Sequence, residues 1–124
     1  DPAAARFVAA DVFDFLRTTP ETYDLIVLDP PAFVRRRRDL SSGVRGYKDV
    51  NLQALRRLAP GGWLLTASCS QHLPRATFRE VVAAAAADAG RVVRVVAEAG
   101  HPPDHPTLLA HPEGEYLKVL LLHG

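Results

Sequence analysis

Two successive prolines, Pro30 and Pro31, follow Asp29 directly and cut off the apolar run Leu25-Ile26-Val27-Leu28. Proline has no backbone N–H and a fixed φ, so a central β-ladder cannot run through the pair. The near-continuous apolar run before it reads as a strand buried on both faces, as in parallel sheets. A carboxylate held where such a strand stops lies at the carboxyl rim of an open α/β sheet, where those sheets bind ligands. A second apolar run, Trp63-Leu64-Leu65-Thr66-Ala67, ends in Ser68-Cys69-Ser70 and brings the only thiol of the chain to the same rim.

The rest of the pattern alternates strands with helices. Residues 6–10 are a strand candidate ending at Asp11, and apolar positions 12, 13, 15 and 16 predict a short helix over 12–18. Residues 30–47 read as a basic loop with Ser41-Ser42-Gly43 as a flexible break. A helix is expected from about 49 to 59, stopped by Pro60-Gly61-Gly62, then a strand over 63–67 and a helix over 77–89 closed by Gly90. Two last strands, 92–96 and 116–122, flank a loop rich in proline and histidine. Such alternation implies an α/β fold with a mostly parallel sheet. If strand 92–96 is parallel to its predecessors, the 100–115 loop overhangs the rim, brings Asp104 and His105 to it, and the final strand returns antiparallel.

Length and composition narrow the classes. With 124 residues the chain is one domain or part of one. No apolar stretch approaches a membrane span, and the start, Asp1-Pro2-Ala3, has no signal-peptide character, so no membrane partner is expected. A single cysteine excludes an internal disulfide and a thiolate zinc cage; it fits a reducing, cytoplasmic setting. No cluster of His, Asp and Cys has metal-ligand spacing, so no metal is expected. Net charge is only +1, yet residues 32–48 hold six basic side chains against Asp39 alone. A basic loop on a mildly acidic body suggests a polyanion gripped at one place.

Several segments together resemble a known family. They are Asp11-Val12-Phe13, Asp24 to Phe33, Arg45 to Asn51, Pro60 to Ser70, Asp104-His105-Pro106 and Glu115-Tyr116-Leu117-Lys118, in that order and across nearly the whole chain. They resemble class I S-adenosylmethionine-dependent RNA methyltransferases, those like the bacterial large-subunit ribosomal RNA cytosine-5 enzymes. The resemblance implies a Rossmann-like class I sheet in strand order 3-2-1-4-5-7-6, S-adenosylmethionine as cofactor and ribosomal RNA as partner. It also admits a homodimer. Residues 1–124 would be the C-terminal part of the catalytic domain. Against the family pattern, the glycine-rich cofactor loop and the first two strands are absent, so these residues alone are expected to bind cofactor poorly. Asp29-Pro30-Pro31 also has no neighbouring cysteine, where two-cysteine RNA cytosine enzymes carry one.

Carbon 5 of cytosine is a weak nucleophile until something adds to carbon 6, and Cys69 is the only thiol that could do so. The plain alternative is an inert, buried strand-end cysteine. Asp29 could share a proton with the base edge as charge builds, or could merely form a turn before proline. Asp11, with Val12 and Phe13, resembles the family's adenine-side cofactor contact, and it equally suits a helix N-cap. Asp29 and Pro30 would also border the cofactor. Pro31, Phe33, Arg35, Arg36, Arg37, Arg38, Arg45, Tyr47 and His105 are the expected RNA contacts, the arginines through phosphates. Two other readings remain: methylation of an exocyclic amine or guanine N7 with Cys69 structural, and a non-catalytic Rossmann fragment.

Overall fold

The structure, a computed structural model, describes residues 4–111 and 116–124; Glu115, in the last matching segment above, and residues 1–3 lie outside them. Three helices and four strands follow in chain order, with one short 3₁₀ turn: α1 (Val12–Thr18), β1 (Tyr23–Leu28), the turn Arg37–Asp39, α2 (Leu40–Arg56), β2 (Leu58–Ser68), α3 (Arg75–Asp88), β3 (Arg94–Ala99) and β4 (Lys118–His123). The sheet order is β1-β2-β4-β3. β1 pairs with β2 in parallel, whereas β4 is antiparallel to both β2 and β3, so β1, β2 and β3 run the same way. The expected parallel third strand and antiparallel last strand are both present. This is a Rossmann-like arrangement.

α1 starts as its sequence demands, with the Asp11 carboxylate accepting the Asp14 N–H at 3.1 Å. β1 stops at Leu28, one residue before Asp29. Just past α3 stands Gly90, whose φ of +67° suits glycine and turns the chain so that the Arg91 N–H reaches the Ala86 carbonyl. Leu55, Leu58, Leu64, Phe78, Val82, Leu120 and Leu122 form the centre of the core.

Three expectations are corrected. Residues 6–10 form no strand; they are exposed and unpaired, because no neighbouring strand among the described residues offers a ladder. α2 begins at Leu40 rather than near 49, so Ser41-Ser42-Gly43 is helical and the basic loop shortens to residues 30–39. Packing outweighs the glycine signal here. A Cβ on Gly43 would collide with Val34 Cγ2 and lie 2.7 Å from the Phe33 carbonyl oxygen, so the helix can approach the loop only with glycine there. Finally, α2 ends before Pro60, and Ala59-Pro60-Gly61-Gly62 is an irregular segment inside β2: Tyr23 registers with Leu58 but Leu25 with Trp63. Gly61 takes φ +76° in it, and the missing N–H of Pro60 is tolerated at such a bulge.

Candidate active site

The two rim segments do converge. Leu28 registers with Thr66, so Asp29 and Cys69 both lie just past the carboxyl ends of adjacent parallel strands. Asp29 and Pro31 are exposed, Pro30 is buried, and Cys69 is half-buried with a free thiol.

The segments are tied together by a buried polar network. The Ser70 hydroxyl accepts the Val34 N–H at 3.0 Å and shares a 2.5 Å hydrogen bond with the Tyr47 hydroxyl. The Phe33 N–H donates to that Tyr47 oxygen at 3.4 Å, and the Ser70 N–H donates to the Ser68 hydroxyl at 3.2 Å. Deeper in, the Asn51 amide donates to the Tyr47 carbonyl at 2.8 Å and accepts from the Thr66 hydroxyl at 2.6 Å. Prolines at 30 and 31 supply no N–H, so Phe33 and Val34 are the first residues of the turn seen to donate to this network. One hydroxyl, on Ser70, therefore bridges the loop that carries Asp29 to the loop that carries Cys69.

Lys118 closes the site from below. It stands opposite Ser68 in the β2–β4 ladder, is 4% exposed, and its ammonium donates to the Ser70 carbonyl at 2.5 Å. Burial pushes this ammonium down, the nearby Cys69 sulfur pulls it back up and the Arg75 guanidinium lowers it further, leaving it at about 8 against an ordinary 10.5. A cavity of about 570 Å³ opens beside it, lined by Gln71, Arg75, His101, His105 and Lys118 among others. His101 fixes its far wall, accepting from the Tyr116 and Leu117 N–H groups at 3.1 and 3.3 Å. His105, which lines it, pairs with Asp104 at 3.3 Å.

The α1 end reaches the same rim. The Phe13 and Phe33 rings are 6.1 Å apart, and Phe33 meets Tyr47 edge-on at 4.8 Å. Asp11 is exposed and caps its helix. Arg35, Arg37 and Arg38 are exposed, with no side-chain partner among the described residues, whereas Arg36 pairs with Asp39 at 3.1 Å. Arg45 is exposed on α2, not in the loop. Tyr47, expected among the RNA contacts, is instead fully buried and supports the Asp29 loop from inside.

Ser70, Asn51, Thr66 and Lys118 received no role from the sequence. All four sit in the matching segments, and Lys118, a lone charge opening the apolar run Val119–Leu122, was the legible signal.

No family model matches the chain. It is 46% identical over 121 residues to the ribosomal RNA large subunit methyltransferase I of Serratia proteamaculans, and 45% identical over 126 residues to that of Cronobacter sakazakii. The chain is a homologue of part of these ribosomal RNA large subunit methyltransferases. The alignments cover 95% and 99% of this chain but 31% and 32% of those proteins, so it spans about a third of their length. Among solved structures, a putative SAM-dependent methyltransferase from Streptococcus mutans superposes with TM-score 0.74 at 20% identity, over 93% of this chain and 30% of that one. A putative methyltransferase complexed with SAH gives TM-score 0.72 at 23% identity, again over 93% and 30%. The fold is thus shared with the Rossmann-like methyltransferases.

Proposed function

We propose that the chain is the C-terminal part of the catalytic domain of a cytoplasmic, S-adenosylmethionine-dependent methyltransferase acting on carbon 5 of a cytosine in ribosomal RNA. Its sheet order matches the 4-5-7-6 end of the family's sheet, and its relatives are named for ribosomal RNA methylation. The observation that carries the chemistry is the convergence of Asp29 and Cys69 at one rim, held by the Ser70 bridge.

The residues fit the cofactor. One carboxylate oxygen of Asp11 is taken by the Asp14 N–H and the other is free to accept an adenine amino group; Val12 and Phe13 lie beside it, and Asp29 and Pro30 border the reacting end. When bound, S-adenosylmethionine supplies an electrophilic methyl group. The Cys69 thiolate adds to carbon 6, forming an S–C bond and moving the carbon 5–carbon 6 π pair onto carbon 5. The methyl group that carbon 5 then takes would come from the cofactor held between Asp11 to Phe13 and the Asp29-Pro30 end. Loss of the carbon-5 proton to a base then restores the double bond and expels the thiolate. Asp29 holds the N3/N4 edge and offsets the charge that develops there. Pro31 shelves the base, while Phe33, Arg35 to Arg38, Arg45 and His105 hold the surrounding RNA.

The test is trapping. In the full-length protein, ribosomal RNA carrying 5-fluorocytidine should form a covalent adduct that Cys69→Ala abolishes together with methyl transfer. Cys69→Ala methylating at the wild-type rate would refute the nucleophile and favour an amine or guanine N7 target.

A further inference from the structure

A buried ammonium is expensive unless something pairs with it. The Lys118 ammonium has three donors, and among the described residues the Ser70 carbonyl is the single hydrogen-bond acceptor for it. Among the described residues no carboxylate pairs with it, and the other cation close enough to act on it, Arg75, repels it. Its cavity adds further basic side chains, His101 and His105, and no carboxylate among the described lining residues. Among the described residues, the group that draws this ammonium back toward its charged state is Cys69. The geometry fits: from its place opposite Ser68, the lysine side chain reaches the Ser70 carbonyl, so it holds the residues on both sides of Cys69 in sequence.

We propose that Lys118 is the positioning residue of the Cys69 nucleophile: its ammonium fixes the Cys69–Ser70 turn and supplies the countercharge for the sulfur once the thiol proton has passed to solvent. This rests on the nucleophile reading above. Lys118 reaches the base only through Cys69. In each cycle it neutralises the thiolate before addition and again when the adduct collapses, so it favours the leaving thiolate as well as the attacking one. Ser70 is the joint: its hydroxyl holds the Asp29 loop while its carbonyl is held by Lys118, and Cys69 is placed between them.

The experiment compares the full-length wild-type protein with its Lys118→Met and Lys118→Arg variants. Alkylation of Cys69 is followed by mass spectrometry of the peptide that bears it, with iodoacetamide, which is neutral, and iodoacetate, which is anionic. A nearby cation raises the iodoacetate-to-iodoacetamide rate ratio above that of free cysteine, and simple displacement of a loop moves both rates together. Lys118→Met should slow both alkylations by roughly tenfold and bring the ratio down to that of free cysteine. It should also lower kcat for ribosomal RNA methylation at unchanged RNA KM. Lys118→Arg should restore most of both. If Lys118→Met fails to fold, the wild-type ratio decides: a value equal to that of free cysteine overturns the pairing. A folded Lys118→Met with wild-type alkylation rates and ratio also overturns it. Full methylation by Cys69→Ala overturns the nucleophile assignment and the catalytic half of this proposal, while the alkylation ratio still decides the pairing by itself.

Discussion

Replacing Gly43 by alanine sets two effects of known size against each other. Gly43 lies in α2, where exchange of glycine for alanine in a helix interior stabilises by up to about 1 kcal/mol. The new Cβ, however, would collide with Val34 Cγ2 and lie 2.7 Å from the Phe33 carbonyl oxygen and 2.9 Å from its carbonyl carbon. Val34 can swing a methyl aside, but the other two neighbours are backbone atoms. The 33–34 segment must therefore move off the helix, with an overpacking cost of roughly 1–3 kcal/mol. It also takes the Val34 N–H away from Ser70, leaving that donor without its partner at a further cost of about 1–3 kcal/mol. Packing wins: the summed terms leave Gly43→Ala with a net loss of roughly 1–5 kcal/mol. Gly46→Ala is the control. Its Cβ would meet only the Phe33 ring at 3.3 Å, which a small tilt relieves, so its stability should stay within about 1 kcal/mol of wild type. Urea unfolding followed by circular dichroism, with m compared across the three proteins, measures both; the expected midpoint drop for Gly43→Ala is at least about 1 M. A Gly43→Ala protein as stable as wild type would refute the close packing of the Asp29 loop on α2.

Other outcomes follow from single interactions. Arg91 donates to the Leu55, Leu58, Ala59 and Gly124 carbonyls at 2.5–3.3 Å; Arg91→Met should cost about 2–3 kcal/mol of stability in the same assay, with Arg91→Lys in between. Changing Arg35 to Arg38 to alanine should flatten the salt dependence of RNA binding by about one unit of slope for each phosphate no longer neutralised, read by filter binding across salt concentrations, and leave cofactor affinity unaltered. Lys118 sets a pH window. Its folded value of about 8 lies below the ordinary 10.5, so between these values the unfolded chain binds more protons and stability rises with pH. Below about 8 the full penalty of the buried charge is present, so Lys118→Met should gain most relative to wild type there, and the gain should shrink as pH climbs toward 10.5.

Local chemistry was legible in the chain itself. Pro30 and Pro31 must end β1, Asp11 caps α1, Gly90 turns the chain after α3, and the apolar runs dictate β2 and β4. These signals act over a few residues, and nothing distant had to be known. The rim position of Asp29 and Cys69 follows from them, because parallel neighbours end on one side. What only the tertiary structure decided depended on partners far along the chain. Residues 6–10 have strand composition, but a strand exists only where another offers its hydrogen bonds. Gly43 signals a break until Val34 is seen to need its empty Cβ position. Tyr47 is suited equally to stacking on a base or to burial, and Ser70, 23 residues away, decides for burial through the bond between their hydroxyls. Lys118 would be a surface charge in most sequences; pairing in register with Ser68 buries it and brings its ammonium to the Ser70 carbonyl, next in sequence to Cys69.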